Sequence, residues 1–220
     1  MTTTTPAPQA TAAQVSISRI DTETMLVPLV GTAPLIMHKF SEKAKRQMLD
    51  AMQGRKAPKQ SKDPEAEYQA AAYRHDDGTY GFPVIAFKAA TVGAARFFDK
   101  SVTMTMLRQA LFFDADLSRA EGQKLVRIDG EPVMREDVVR VGQGGTDLRY
   151  RPEFTTWSTT VSVTYVRSML TRESVLSLID AGGMGVGVGE WRPEKRGDFG
   201  TYQIDDSREV VYLDAHGVAS

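Results

Sequence analysis

Four groups of side chains in this sequence could do chemistry. The first is His38, which follows Pro34-Leu35-Ile36-Met37 on a predicted loop and precedes Lys39. An imidazole exchanges protons near neutral pH, so His38 could act as a general acid or base. No partner for it is visible in the sequence, and a structural or exposed role is the plainer reading. The second group is the stretch from Lys39 to Lys62, with Lys39, Lys43, Lys45, Arg46, Arg55, Lys56, Lys59 and Lys62 against only Glu42 and Asp50. That stretch carries +6, so with a net charge of −1 the remaining residues carry −7. Such segregation suits a polyanion or a charge-complementary partner, while half of it could equally be a solvated helix face. The third group is Trp191-Arg192-Pro193-Glu194-Lys195-Arg196, an aromatic beside Arg192, Lys195 and Arg196. Aromatic faces stack on bases and cations meet phosphates when single strands are held. The alternative is a solvated loop anchored by Trp191. Arg149-Tyr150-Arg151 is a smaller group of the same kind.

The fourth group is backbone. Of 18 glycines, Gly182, Gly183, Gly185, Gly187, Gly189, Gly197 and Gly200 crowd one segment. Their spacing does not match a dinucleotide fingerprint, and they follow a predicted helix and precede a strand, the reverse of that motif. The Gly-Lys-Ser/Thr of a P-loop is absent. Glycines let backbone approach a ligand or a neighbouring chain closely, and exposed N–H groups there could hold phosphates. A helix stop followed by a tightly turned connector is the competing reading.

Other chemistry is harder to place. With no cysteine, the chain has no disulfide framework, thiol nucleophile, iron–sulfur cluster or Cys-based zinc site. His38, His75 and His216 are far apart, no metal-ligand spacing stands out, and no cofactor is expected. Neither paired carboxylates nor a Ser–His–Asp pattern emerges. Asp76-Asp77-Gly78 reads as a turn. No apolar run reaches the roughly 18 residues a spanning helix needs, and Met1–Gln14 lacks the features of a secretion signal, so a cytoplasmic location in a bacterium or phage-infected host is expected.

The elements that must position these groups follow from periodicity. Residues 1–14, rich in Thr, Ala and Pro, read as a disordered tail; 15–206 form one domain with a basic insertion around 54–63; 207–220 form a C-terminal tail. Val15–Ile20 could be a short strand. Met25–Val30 is a compact apolar strand, with Pro28 arguing for an edge, a bulge or a later start. Ser41 caps a helix over Glu42–Gln53 with Gly54 as its stop, and Ala44, Met48, Leu49 and Met52 form its apolar stripe. Asp63-Pro64-Glu65 starts a second helix running to about Tyr73. A short strand is predicted over Thr79–Val84 and a helix over Ala86–Asp99; Met104–Phe113 is ambiguous. Lys124–Ile128 and Val133–Val141 look like a strand pair, followed by a flexible turn over Gly142–Asp147. Phe154–Arg167 alternates clearly, with Trp157, Val161, Val163 and Tyr165 on one face. A helix over Arg172–Ala181, the glycine segment, a strand over Phe199–Ile204 and a β-like Val210–Leu213 complete the chain. The order predicts an α+β fold of the ferredoxin-like, RRM-like kind, an antiparallel sheet with helices on one face and insertions.

Two segments together resemble a known group. Leu29-Val30-Gly31-Thr32-Ala33-Pro34-Leu35-Ile36-Met37-His38 is a first strand running into a Pro-Leu loop. Ile179-Asp180-Ala181-Gly182-Gly183, then Gly185, Gly187, Gly189, Gly197 and Phe199-Gly200, form a glycine-rich loop between the last helix and the closing strand. The pair resembles the RAMP superfamily, the RNA-recognition-motif-like proteins that form the backbones and processing enzymes of CRISPR complexes. The likeness lies at the two ends of the chain, not in its middle. It implies a ferredoxin-like core that binds single-stranded nucleic acid, head-to-tail assembly, and an insertion acting as a thumb. Gly183, Gly185, Gly187 and Gly189 would line the strand. His38 falls where processing members sometimes keep a catalytic histidine.

Charge segregation and this resemblance together predict a non-enzymatic module that binds single-stranded nucleic acid, RNA ahead of DNA, as a homo-oligomer. Lys43, Arg46, Arg55, Lys56, Lys59 and Lys62 would neutralise phosphates. The backbone from Gly183 to Gly189 would let the strand approach, and Trp191 and Arg192 would stack or pair, with Lys195 and Arg196 beside them. Two alternatives stay open: an assembly protein of a phage particle, and a metal-independent RNA endonuclease using His38.

Overall fold

The computed structural model describes residues 17–40, 42–55, 61–141 and 145–213, with 42–44, 47 and 141 described by their backbone. The expected N-terminal tail (1–14), the Ser41 cap, the last seven residues of the C-terminal tail, Lys56 and Lys59 lie outside these residues. In chain order the elements are β1 (Thr22–Gly31), β2 (Leu35–Ile36), α1 (Glu42–Met52), α2 (Pro64–Ala70), β3 (Gly81–Pro83) and α3 (Val84–Gly93), which tightens into a 3-10 turn over Ala94–Phe97. Then come α4 (Met104–Ala110), β4 (Leu111–Asp114), β5 (Asp116–Ser118), β6 (Gln123–Arg127), β7 (Pro132–Val141), β8 (Gly145–Phe154) and β9 (Ser158–Val166). The chain closes with α5 (Arg172–Gly185), a 3-10 turn at Pro193–Lys195, β10 (Tyr202–Ile204) and β11 (Val211–Leu213).

The main sheet has the order β10-β1-β9-β4, all pairs antiparallel. Strands β1 and β4 therefore run the same way with β9 between them, and β9 and β10 the same way with β1 between them. Helix α3 lies on the first crossover and α5 on the second, so two split βαβ units interlock. This is the ferredoxin-like α+β arrangement expected from the sequence. Period-two alternation builds it. Met25, Val27 and Leu29 of β1 and Val161, Val163 and Tyr165 of β9 are buried on one face, against Val175, Leu178 and Ile179 of α5 and Phe87 of α3. The other face of β9 shows Ser158, Thr160, Ser162 and Thr164.

Pro28 sits mid-strand in a central position, opposite Thr160 of β9. Its carbonyl accepts from Asp205 N–H at 3.0 Å, so its ring nitrogen faces the same edge of β1. There β10 covers Leu29–Gly31 and β11 covers Thr24–Leu26, leaving Pro28 opposite neither. The missing donor thus falls in a gap of the ladder, where no bond is lost. The β-like segment near the C-terminus is β11, an added strand on β1.

Several boundaries differ from the sequence expectation. Residues 17–20 are not in a strand. Helix α2 ends at Ala70, short of Tyr73, and α3 begins at Val84, immediately after Pro83. The ambiguous Met104–Phe113 segment divides into α4, capped by Thr103, and β4. The strands β6 and β7 exist but do not pair. β6 joins β3 and β5, while β7 forms a ten-residue hairpin with β8, a strand predicted only as a turn and the start of β9. Trp157 lies between β8 and β9, its Nε1 donating to the Ala33 carbonyl at 2.9 Å.

Candidate nucleic-acid interface

Helix α5 runs four residues past its predicted end, through Gly185. Two glycines inside it are packing devices. A Cβ on Gly182 would lie 2.7 Å from the Ala90 carbonyl oxygen of α3, and one on Gly183 2.1 Å from the Tyr202 carbonyl oxygen of β10. A Cβ on Gly185 would enter the ring of Phe97. Past the helix, Gly187 and Gly189 have φ of 69° and 79°, the left-handed region that glycine tolerates. Gly189 lies against the Ile36 carbonyl, where a Cβ would sit 2.7 Å from the oxygen. All four positions singled out as strand-lining therefore lie close against the chain itself, Gly183 and Gly189 against backbone carbonyls, Gly185 against the Phe97 ring and Gly187 against Pro193 and Arg192. Gly183 is buried inside the fold, and only Gly185 and Gly189 are half-buried.

This approach joins the two ends of the sequence. Glu190 N–H donates to the Ile36 carbonyl at 3.0 Å, and Gly200 N–H donates to the Pro34 carbonyl at 2.8 Å. The junction sets Glu190 beside His38, with Oε1 3.5 Å from Nδ1. The partner that His38 lacks in the sequence is thus 152 positions away. The hydrogen bond from His38 holds the Glu190 carboxyl below the usual carboxylate range, against partial burial that raises it. Burial, with the Glu121 and Glu190 carboxylates nearby, pushes the Tyr73 phenol up. His38, Tyr73, Glu190 and Arg192 line a cleft of about 360 Å³ whose apolar wall is Pro83, Ile85, Ala86 and Val188.

Behind Glu190 lies a charged layer on the inner face of the β7–β8 hairpin. Register places Arg135 opposite Arg151 and Asp137 opposite Arg149. Arg151 is 1% exposed; its Nη2 donates to Asp137 Oδ2 at 2.5 Å and its Nη1 reaches Glu190 Oε2 at 3.5 Å. Arg135 holds Asp137 at 2.9 Å and Glu153 at 2.9 Å. The ring of Trp191 covers this layer, 4.9 Å from the Arg151 guanidinium and 5.1 Å from that of Arg135. The Phe199 ring lies tilted at 56° to the Trp191 ring, with the two ring centroids 5.9 Å apart. Cation–π contact of this kind repays part of the cost of burying Arg151, whose Nε finds no acceptor among the described residues.

The predicted contact residues distribute unevenly around this junction. Trp191 has its ring committed to Arg135 and Arg151 and holds a φ of 50°. Arg192 donates to Glu194 and to the Gly189 carbonyl. Lys195 and Arg196 are exposed at the outer end of the loop. Helix α1 starts four residues after His38, and Arg46 and Arg55 on it and just beyond it are exposed. The backbone of Lys43 lies on α1. Lys62 is tied back to the hairpin by Asp147 and the Leu148 carbonyl, with Glu67 at 3.7 Å. The first basic residue of the stretch, Lys39, is paired with Glu121 at 2.6 Å. Among the described residues, no helix or strand packs along α1, and its apolar stripe departs from expectation: Met48, Leu49 and Met52 are all at least half exposed. Sequence reading missed Glu190, Asp137 and Arg135, and it singled out Arg151 only within the Arg149-Tyr150-Arg151 group, not as a buried partner of Asp137.

Among the described residues no cluster of three metal-ligating side chains occurs, and no helix is long and apolar enough to cross a membrane. The strand order and the cleft define the chain as a ferredoxin-like α+β protein with two insertions. One, between β1 and α3, carries the basic α1; the other, between β4 and β9, carries the charged hairpin. No protein-family model matches the sequence, and no curated protein matches it. Among solved structures, Cmr6 from Pyrococcus furiosus aligns over 85% of this chain and 100% of its own, at 10% identity and a TM-score of 0.41.

Proposed function

We propose that this chain is a RAMP-like module that binds single-stranded nucleic acid, RNA ahead of DNA, in the cytoplasm of a bacterium or phage-infected host. It acts without catalysing a reaction on the strand, and copies of it line up along the strand. One observation carries this reading. Helix α1 of the basic stretch starts four residues after His38, at the junction between the Pro-Leu loop and the glycine segment; among the described residues no helix or strand packs along it, and Arg46 on it and Arg55 beyond it are exposed. A projecting cationic helix can lie along a phosphate backbone and release counterions as it does so. The exposed Lys195 and Arg196 extend the cationic surface from the other side of the cleft. The test is fluorescence anisotropy with a labelled single-stranded RNA. Arg46→Ala with Arg55→Ala should weaken binding at least about tenfold at low salt. Equal affinity of the variant and the unmodified chain would contradict the assignment of the arm.

A second reading, metal-independent RNA cleavage, is favoured by the His38–Glu190 pair, because a carboxylate 3.5 Å from an imidazole can orient it as a general acid or base. Incubation with a labelled RNA separates the two readings. Intact RNA supports binding alone; product that disappears in His38→Ala supports cleavage.

A further inference from the structure

In the cleft beside His38 the charged groups of the lining are paired, while two of its neutral polar groups are not. Glu190 divides its two oxygens between His38 and Arg151, each at 3.5 Å. Glu194 accepts from Arg192 at 2.9 Å and has Arg96 at 3.8 Å, and Arg192 also donates to the Gly189 carbonyl. The Tyr73 hydroxyl and the Gln123 side-chain amide line the same cleft, and among the described residues neither has a hydrogen-bond partner. Burial, with the Glu121 and Glu190 carboxylates nearby, pushes the Tyr73 phenol up, so it stays protonated at neutral pH and can donate. The rest of the wall is aliphatic, with Pro83, Ile85, Ala86 and Ala89 from the β3–α3 corner and Val186 and Val188 from the end of α5 onward. Ile85 is 63% exposed, so this apolar wall meets solvent.

Such a lining selects by exclusion. A charged ligand would lose its hydration beside charges that are already neutralised, with none left to pair with it. A purely apolar ligand would cover the phenol and the amide and leave them without partners. A flat, uncharged ring with hydrogen-bond donors and acceptors on its edge meets both demands. Lys195 and Arg196 follow Glu194 directly and are exposed, which suits a ring that carries an anionic tail. An uncharged ring on an anionic backbone is a nucleotide. We propose that the cleft takes one nucleobase, held by Tyr73 and Gln123 against the aliphatic wall. The base comes either from the bound strand, turned out of its stack, or from a free nucleoside, and the first source rests on the single-strand reading above. The volume, about 360 Å³, lies near the lower end of the ~300–1,000 Å³ of small-molecule sites and suits one base rather than a stack.

The test starts without RNA. The full chain, nuclease-treated, is mixed with each of the four ribonucleosides in turn at millimolar concentration and read by saturation-transfer NMR. At least one nucleoside should receive saturation, more strongly at its base protons than at its ribose protons. Ala89→Phe puts a ring into the cleft, and Gln123→Leu removes the amide. Each should weaken that binding at least about tenfold, with unchanged far-ultraviolet circular dichroism. The two positions lie on different elements, α3 and β6, so a folding defect in one variant leaves the other to decide. Adding single-stranded RNA rich in the bound base then identifies the source. Loss of the nucleoside signal assigns the cleft to a base of the strand; a retained signal with RNA bound assigns it to a free nucleoside. No saturation at any of the four nucleosides, or equal binding by both variants and the unmodified chain, would overturn the proposal. Nucleoside binding is read alone, so RNA binding can fail with the cleft intact, and the cleft can fail with RNA still held by the arm.

Discussion

His38 Nδ1 lies 3.5 Å from Glu190 Oε1, and the other oxygen of the same carboxylate lies 3.5 Å from the buried Arg151. The carboxylate therefore couples a solvent-reachable imidazole to the charged layer of the hairpin. His38→Ala removes a partly exposed side chain and leaves Glu190 its Arg151 contact. The expected outcome is an unchanged thermal midpoint within a few degrees, with RNA affinity changed less than about threefold if the strand is held by the arm. A gel of RNA incubated with the unmodified chain should show no cleavage; product lost in the variant would move the account to the catalytic reading.

Arg151 and Asp137 form a pair in which both side chains are almost wholly buried. Arg151→Ala leaves the Asp137 carboxylate with Arg135 alone in a desolvated layer. Urea unfolding should show a loss of about 3–5 kcal/mol. Replacing both members with apolar residues, Arg151→Met with Asp137→Leu, should recover much of that loss, because no uncompensated charge remains.

Glu23 accepts from Arg172 at 2.6 Å and from the Tyr165 hydroxyl at 2.5 Å. The Arg172 hydrogen bond, reinforced by Tyr165, holds its carboxyl at about 2 instead of 4.5. A carboxyl depressed by folding stabilises fully above its unfolded value and loses that contribution as pH falls to its folded value. Glu23→Gln should therefore melt below the unmodified protein at pH 7. The gap should hold down to pH 4.5 and close as pH approaches 2. A gap independent of pH would contradict the bond's role.

Gly183 and Gly54 should respond differently to alanine. At Gly183 the new Cβ would fall 2.1 Å from a backbone oxygen, so α5 or β10 must shift, at a cost of about 3 kcal/mol or more. At Gly54 the φ is 71° with nothing within 4 Å, and the cost is the backbone strain alone, about 1 kcal/mol. Chemical denaturation of the two variants side by side checks the order.

The sequence made some of this architecture legible for stated physical reasons. The β9 alternation, the Asp63-Pro64 start of α2 and the Gly54 stop of α1 are local signals, and each stands where its chemistry demands. The ferredoxin-like order followed from a strand–helix–strand close. Strand β8 was hidden because Asp147, Arg149, Arg151 and Glu153 occupy the positions where a buried face is normally apolar. Their alternation with Leu148, Tyr150, Pro152 and Phe154 was the available signal. The Asp137–Arg151 and His38–Glu190 pairs were illegible because register and tertiary junctions, not spacing, create them. The α1 stripe shows the converse. Helical periodicity identified the helix correctly, yet periodicity alone does not say what the apolar face meets.

The binding of single-stranded nucleic acid is tested most directly by a salt titration with a labelled single-stranded RNA. Counterion release predicts that log K falls linearly with log salt, by roughly 0.7 per phosphate neutralised, giving a slope of roughly −3 or steeper for the arm and the outer loop together. No detectable binding at low salt, or an affinity that does not change with salt, would contradict the account.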